Sequence, residues 1–228
     1  MPFQDLPARL AEVNGKIDGA VARGGYGQTV TVVAVTKTYG PEAPVAAWNA
    51  GLRDVGENKV QEATAKMAHV PAPLRWHLIG HLQRNKVKLL DDFHLVHSMD
   101  SARLADALSA HGEGRGRPVD VLMQVNVSGE DTKGGYAPTD LEREAARLRT
   151  LPGIRVHGVM TMAPFDAEEK ALRTVFAGAR RCAEQLRAAG HENATQLSMG
   201  MSGDYVVAVE EGATLVRLGT VLFGARSA

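Results

Sequence analysis

Thr29-Val-Thr-Val-Val-Ala-Val-Thr36 is β-branched at every position but Ala34, and Lys37 follows it directly. The run is too short for a buried helix, and β-branched side chains pack well on a pleated surface, so it reads as a strand covered on both faces. Shorter runs of the same kind recur at 53–56, 75–80, 94–98, 119–126, 154–160, 195–199 and 214–219, which brings the strands to eight. Between them, apolar residues recur at helical spacing over 41–50, 58–69, 83–91, 100–111, 138–150, 167–189 and 203–211. Positions 6, 10, 13 and 17 form a further stripe that predicts a leading helix over about 4–22. Strict alternation of strand and helix implies a parallel sheet with helices outside it, and eight units that close on themselves make a (β/α)8 barrel. The competing layout is an open doubly wound sheet, which places Gly-x-Gly-x-x-Gly just after its first strand. Here Gly24, Gly25 and Gly27 precede that strand and read as a loop. No repeat or linker divides the chain, so one domain is expected over 1–228, with the barrel over about 29–226.

Composition narrows the function classes. The 228 residues carry 26 Lys+Arg against 26 Asp+Glu, and 44% are hydrophobic. A neutral balance argues against nucleic acid as a partner, because neutralising a phosphate backbone needs a surplus of Lys and Arg on one face. A small-molecule partner is expected instead. The lone Cys182 excludes an internal disulfide and fits a reduced, cytoplasmic protein. It falls on the helical stripe Leu172, Val175, Phe176, Ala179, Cys182, Ala183 and Leu186, which makes it a small apolar packing residue. The N-terminus lacks the apolar stretch of a signal peptide, and no run approaches the roughly 20 residues that span a bilayer, so a soluble protein is expected.

In such barrels the working groups stand at the C-terminal ends of the strands. Lys37 ends the first strand and shares the parity of Val33 and Val35, which aims it at the barrel mouth. Partial burial disfavours an ammonium and favours the free amine that condenses with a carbonyl, although position alone equally allows a surface lysine. The seventh strand ends in Ser198-Met-Gly-Met-Ser-Gly-Asp204, and the eighth in Arg217-Leu-Gly-Thr220. Loops after strands seven and eight recurrently bind phosphate in this architecture, and a Gly/Ser turn offers amides and hydroxyls to an anion. Together with Lys37 they describe a pocket for a phosphorylated aldehyde. Other motifs fail on context. Thr36 rather than Gly precedes Lys37, against a P-loop, and Gly200-Met-Ser-Gly203 lacks the spacing of a hydrolase elbow. His77 and His81 are four apart on what reads as strand, so they do not share a face as helical zinc ligands do, and no metal is expected.

Val33-Ala-Val-Thr-Lys37, Gly56-Glu-Asn-Lys-Val-Gln-Glu62, Trp76-His-Leu-Ile-Gly-His-Leu-Gln-Arg-Asn-Lys86, Leu197-Ser-Met-Gly-Met-Ser202 and Val216-Arg-Leu-Gly-Thr-Val-Leu-Phe-Gly224 resemble the pyridoxal phosphate homeostasis proteins. The match runs in order through nearly the whole chain. That family is similar to the N-terminal barrel of alanine racemase, the type III fold of pyridoxal phosphate proteins. The resemblance implies pyridoxal 5'-phosphate held as a Schiff base on Lys37. It further implies that Ser202, with the amides of Gly219 and Thr220, binds the phosphate, and that Arg217 faces the pyridine nitrogen. Asn58 and His81 are implied to line the pocket, with Ser198 and Met199 near the phosphate loop.

The function that follows from the resemblance is a non-catalytic pyridoxal phosphate carrier in vitamin B6 homeostasis, with apo forms of pyridoxal phosphate-dependent enzymes as recipients. Racemases of this type draw a second acid/base from an additional C-terminal domain, and only eight residues follow Thr220. Two enzymatic readings stand beside it: a weak amino-acid racemase or other pyridoxal phosphate enzyme, and a Schiff-base aldolase acting through Lys37 without a cofactor. No stripe exposes a large apolar face, so a monomer is expected.

Overall fold

The computed structural model describes residues 3–70, 73–130 and 134–224. Residues 225 and 226, the end of the expected barrel, lie outside the described residues. Strands β1 (Thr31–Val35), β2 (Asp54–Glu57), β3 (Arg75–Leu78), β4 (Leu95–Met99), β5 (Val119–Gln124), β6 (Ile154–Met160), β7 (Gln196–Ser198) and β8 (Leu215–Leu218) form a closed parallel barrel in chain order. Closure is made by β1 on β8, with Val33 opposite Arg217 and Ala34 opposite Leu218. The (β/α)8 barrel read from the alternation is therefore the fold, and helix α1 (Leu6–Gly24) precedes it.

Helices α2 (Glu42–Asn49), α3 (Val60–Met67), α4 (Ala102–Gly114), α5 (Leu141–Leu148), α6 (Glu169–Ala188), α7 (Tyr205–Glu210) and α8 (Thr220–Phe223) surround the strands. Two segments depart from the helices expected. The stretch at 83–91 is a 3-10 helix over Arg84–Leu89, in which Val87 alone is buried and Gln83 supplies no side-chain cap. One buried residue gives too little packing to hold successive α-turns. The stretch at 138–150 opens as a 3-10 turn over Pro138–Asp140 before α5 begins. The four-residue α8 was not anticipated, because a single turn is shorter than any periodic signal.

Two cores result. Val33, Leu95, Leu122, Met160 and Leu215 fill the barrel interior, and a larger apolar layer separates strands from helices. Removing each such side chain from water is worth about 1.5–3 kcal/mol. The predicted α6 stripe is buried in the outer layer, and Cys182 within it is 3% exposed. Burial pushes its thiol up to about 11, which keeps it an uncharged packing group. α1 packs against α7 and α8, the elements that flank β8. Among the described residues no helix is long and apolar enough to cross a membrane.

Candidate functional site

Lys37 leaves the C-terminal end of β1 half-buried, two residues beyond Val35 on the inward-facing parity. The turn that carries it is held from behind. Lys66 on α3 donates to the Thr36 carbonyl at 2.8 Å, to Glu57 Oε1 at 2.7 Å and to Glu62 Oε1 at 2.9 Å. Thr36 Oγ1 also donates to Glu57 Oε1, and the Thr38 amide donates to Glu62 Oε1, both at 2.6 Å. Thr38 has φ 69°, a left-handed conformation that strains a β-branched residue and persists only where its surroundings enforce it. Burial raises the Glu57 carboxyl above its ordinary range even against the bonds from Lys66 and Thr36. Sequence reading missed this clamp, although Glu62 and Lys66 stand at the i,i+4 spacing that pairs charges on a helix.

At the neighbouring strand ends, the Ser202 hydroxyl oxygen accepts from the amides of Gly219 at 3.2 Å and Val221 at 3.3 Å. Two amides converging on one oxygen are the donors that an oxyanion of a phosphate takes. Thr220, whose amide was expected to join that of Gly219 on a phosphate, opens α8 between the two donors and is exposed. Gly200 lets the loop turn: its φ is 91°, and a Cβ there would stand 2.7 Å from the Ala208 side chain. The Gly200 carbonyl then accepts from the Arg217 amide at 3.0 Å, and Asp204 Oδ1 accepts from the Met201 amide at 2.6 Å. A Cβ on Gly219 would stand 3.6 Å from the Val35 side chain. The strand that leads to Lys37 and the turn that meets Ser202 thus abut at the mouth.

Arg217 is buried inside the barrel, where it donates to Ser198 Oγ at 2.6 Å and to the Thr161 carbonyl at 3.0 Å. Burial brings the guanidinium down to about 10, so it keeps its charge at neutral pH. Ser198 precedes the Ser202 turn and is engaged with Arg217 and with His97 Nδ1 at 2.8 Å. Its hydroxyl therefore serves the arginine. Met199 points the other way, into the core between strands and helices, and leaves only its backbone near the turn. Asn58 is half-buried at the end of β2, against Gly80, where a Cβ would fall 2.5 Å from the Asn58 carbonyl. His81 stands on the rim with a side chain 71% exposed and its Nδ1 2.9 Å from Asp100 Oδ2. It turns towards solvent and away from the interior.

The expected residues are therefore brought to one end of the barrel, with Lys37, Ser202, Gly219 and Arg217 as its chemical elements. Exterior clefts beside Arg149 and His191, and beside Phe3 and Phe223, hold none of them. Among the described residues no group of three or more His, Cys, Asp or Glu could hold a metal ion. His77 lies in the barrel interior and His81 on the rim, so the two do not share a site.

A closed parallel barrel with a lysine just past the end of β1 and a serine oxygen that gathers two backbone amides beyond β7 and β8 has the layout of the alanine racemase-type barrel. The family described as alanine racemase, N-terminal domain, matches residues 20–227. The chain is 40% identical over 221 residues to the pyridoxal phosphate homeostasis protein of Aquifex aeolicus, covering 96% of this chain and 97% of that protein. It is 42% identical over 224 residues to the protein of that name from Pseudomonas aeruginosa, covering 97% and 96%. The structure of PipY from Synechococcus elongatus with pyridoxal phosphate bound superposes with a TM-score of 0.85 at 36% identity, over 96% of this chain and 100% of PipY. An alanine racemase from Clostridium difficile shares the fold, with a TM-score of 0.79 at 13% identity over 58% of its own chain. The chain belongs to the pyridoxal phosphate homeostasis protein family.

Proposed function

We propose that this chain binds pyridoxal 5'-phosphate at the barrel mouth, with the Lys37 amine as its covalent attachment point, and acts in vitamin B6 homeostasis as a carrier. The observation that carries the reading is the meeting of three recognition groups at one end of the barrel. Lys37 supplies an amine for an aldehyde, the Ser202 turn supplies amides and a hydroxyl for a phosphate, and Arg217 supplies a fixed positive donor. Relatives that bear the homeostasis name over nearly their full length, and PipY with the cofactor bound, support it. The cofactor, when bound, supplies an electrophilic aldehyde and an electron-withdrawing ring.

Arg217 would set the electronics of the bound ring. A guanidinium donates and does not readily give up its proton, so Arg217 at the pyridine nitrogen would leave that nitrogen unprotonated and the ring a weak electron sink. Asn58 would border the pocket, with His81 at its rim. Apo enzymes that use the cofactor would be the recipients, and the carrier would act as a monomer. The experiment is a visible spectrum of the protein loaded with pyridoxal phosphate, before and after borohydride, with the reduced adduct mapped by mass. A visible band lost on reduction, with the added mass on Lys37, is expected; a protein that takes up no cofactor overturns the reading. Exchange of the α-hydrogen of an added amino acid with deuterated solvent, abolished by Lys37→Ala, would overturn the non-catalytic role.

A further inference from the structure

A file of polar side chains crosses the barrel interior beside its apolar filling. From Arg217 on β8 the bonds pass to Ser198 on β7 at 2.6 Å, to His97 on β4 at 2.8 Å, to His77 on β3 at 2.8 Å and to Asp54 on β2 at 2.9 Å. Arg75 closes the file with two bonds to the Asp54 carboxylate, one of them 2.7 Å long. Asp54 is the first residue of β2 and Arg217 the penultimate residue of β8, so the file runs from the N-terminal end of the barrel to its mouth. Asp54, His77, His97, Ser198 and Arg217 are all buried.

The two ends dictate the protons in between. Arg217 can only donate, so Ser198 Oγ accepts from it, and the buried hydroxyl hydrogen finds a partner only if it goes to His97 Nδ1. A ring nitrogen that accepts carries no proton, so neutral His97 bears its hydrogen on Nε2 and donates it to His77 Nδ1. By the same step His77 bears its hydrogen on Nε2 and donates to Asp54, an acceptor at the other end. One arrangement satisfies every atom. Protonating His97 would turn Nδ1 into a donor facing a hydroxyl already oriented towards it, and burial, with the Arg217 guanidinium nearby, holds its pKa well below 6.5.

We propose that Asp54, His77, His97 and Ser198 form a one-way hydrogen-bond file that fixes Arg217 as a stationary donor at the barrel mouth, with both histidines as neutral Nε2–H tautomers. All four are positioning residues. This rests on the reading of Arg217 as the group that meets the ring of the bound cofactor, but the file itself is present in the ligand-free chain and is tested there.

The first measurement is long-range ¹H–¹⁵N correlation of histidine-labelled, ligand-free protein at neutral pH. His77 and His97 are expected as neutral Nε2–H rings; an Nδ1–H ring or an imidazolium at either position overturns the assignment. The second compares His97→Leu with His97→Gln, whose single head carries both an acceptor and a donor. Guanidinium protons of Arg217 are expected to be protected from solvent exchange in wild type and His97→Gln, and to exchange about tenfold faster or more in His97→Leu, the loss of one buried hydrogen-bond partner. Equal protection in wild type and His97→Leu overturns the positioning role. With pyridoxal phosphate added, the visible band is expected to move in His97→Leu and to be restored in His97→Gln. A wild type that binds no cofactor at all would sink the proposed function, while the exchange rates would still decide the file.

Discussion

Lys66 Nζ stands 2.7 Å from Glu57 Oε1, both side chains almost wholly shut off from solvent, directly behind the turn that carries Lys37. The ammonium spends its three hydrogens on Glu57, Glu62 and the Thr36 carbonyl, so it ties strand β2, helix α3 and the end of β1 together. Breaking one partner of a buried pair strands the other, at a cost of about 3–5 kcal/mol. Lys66→Met is expected to lower unfolding stability by about 3 kcal/mol, and Glu57→Gln in the same background to recover part of it. Urea unfolding of the two single variants and the double variant reads the coupling; additive losses would mean that the pair holds nothing jointly.

Lys37 has no ion-pair or hydrogen-bond partner among the described residues, so its amine is committed to no other interaction. Lys37→Ala is expected to remove the borohydride-fixed adduct while folding stability stays within about 0.5 kcal/mol of wild type, since the position is half-buried and makes no bond. Residual uptake of pyridoxal phosphate through the Ser202 turn should persist, as a yellow colour that dialysis removes. A reduced adduct of undiminished yield in Lys37→Ala would place the attachment on a different lysine.

Ser202 in the ligand-free chain accepts from the amides of Gly219 and Val221, at the long distances of 3.2 and 3.3 Å. A phosphate oxygen would take both amides and receive the hydroxyl hydrogen as well. Ser202→Ala should weaken cofactor binding by about tenfold, the worth of one charge-assisted bond, and Ser202→Ala with Thr220→Ala by more. Fluorescence titration with pyridoxal phosphate checks it, and titration with pyridoxal, which lacks the phosphate, should show no difference between wild type and variant. Equal losses for both ligands would point to a general loosening of the mouth.

The barrel was legible because each β-branched run is bounded by a helical stripe, and because period two put Lys37 on the same side as Val33 and Val35. The turn around Ser202 was legible as Gly and Ser after β7, and its partner as Arg217-Leu-Gly219 at the end of β8. What sequence could not show was partnership across the barrel. Asp54 and His77 are 23 positions apart, and His97 and Ser198 are 101 apart. Nothing local marks such residues, because the bond exists only once the sheet closes. Glu57 is a similar case: it precedes Asn58 in sequence, yet it is buried and bonds to Lys66 on α3. The 3-10 turn over Arg84–Leu89 escaped for a different reason, since its apolar spacing imitates a helix but only Val87 is covered.

The interior file also makes a prediction about acid. Burial alone would push the Asp54 carboxyl up, but the bonds from His77 and Arg75 outweigh it and bring it down to about 2. A depressed carboxyl stabilises the folded state fully above its unfolded value of about 4, and that contribution, about 2 kcal/mol, is lost as pH falls through the folded value. His97 acts in the same direction at higher pH. Its folded pKa lies well below 6.5, so below about pH 6.5 the unfolded chain binds a proton that the folded chain refuses, and stability falls by up to about 1.4 kcal/mol per pH unit. His97→Gln should therefore flatten the stability curve between about pH 6.5 and pH 5, and Asp54→Asn should differ most from wild type near neutrality and converge on it towards about pH 2. Urea midpoints measured across that range check both. A His97→Gln curve parallel to wild type between pH 6.5 and pH 5 would mean that His97 takes up a proton in the folded barrel, and the one-way order of the file would not hold.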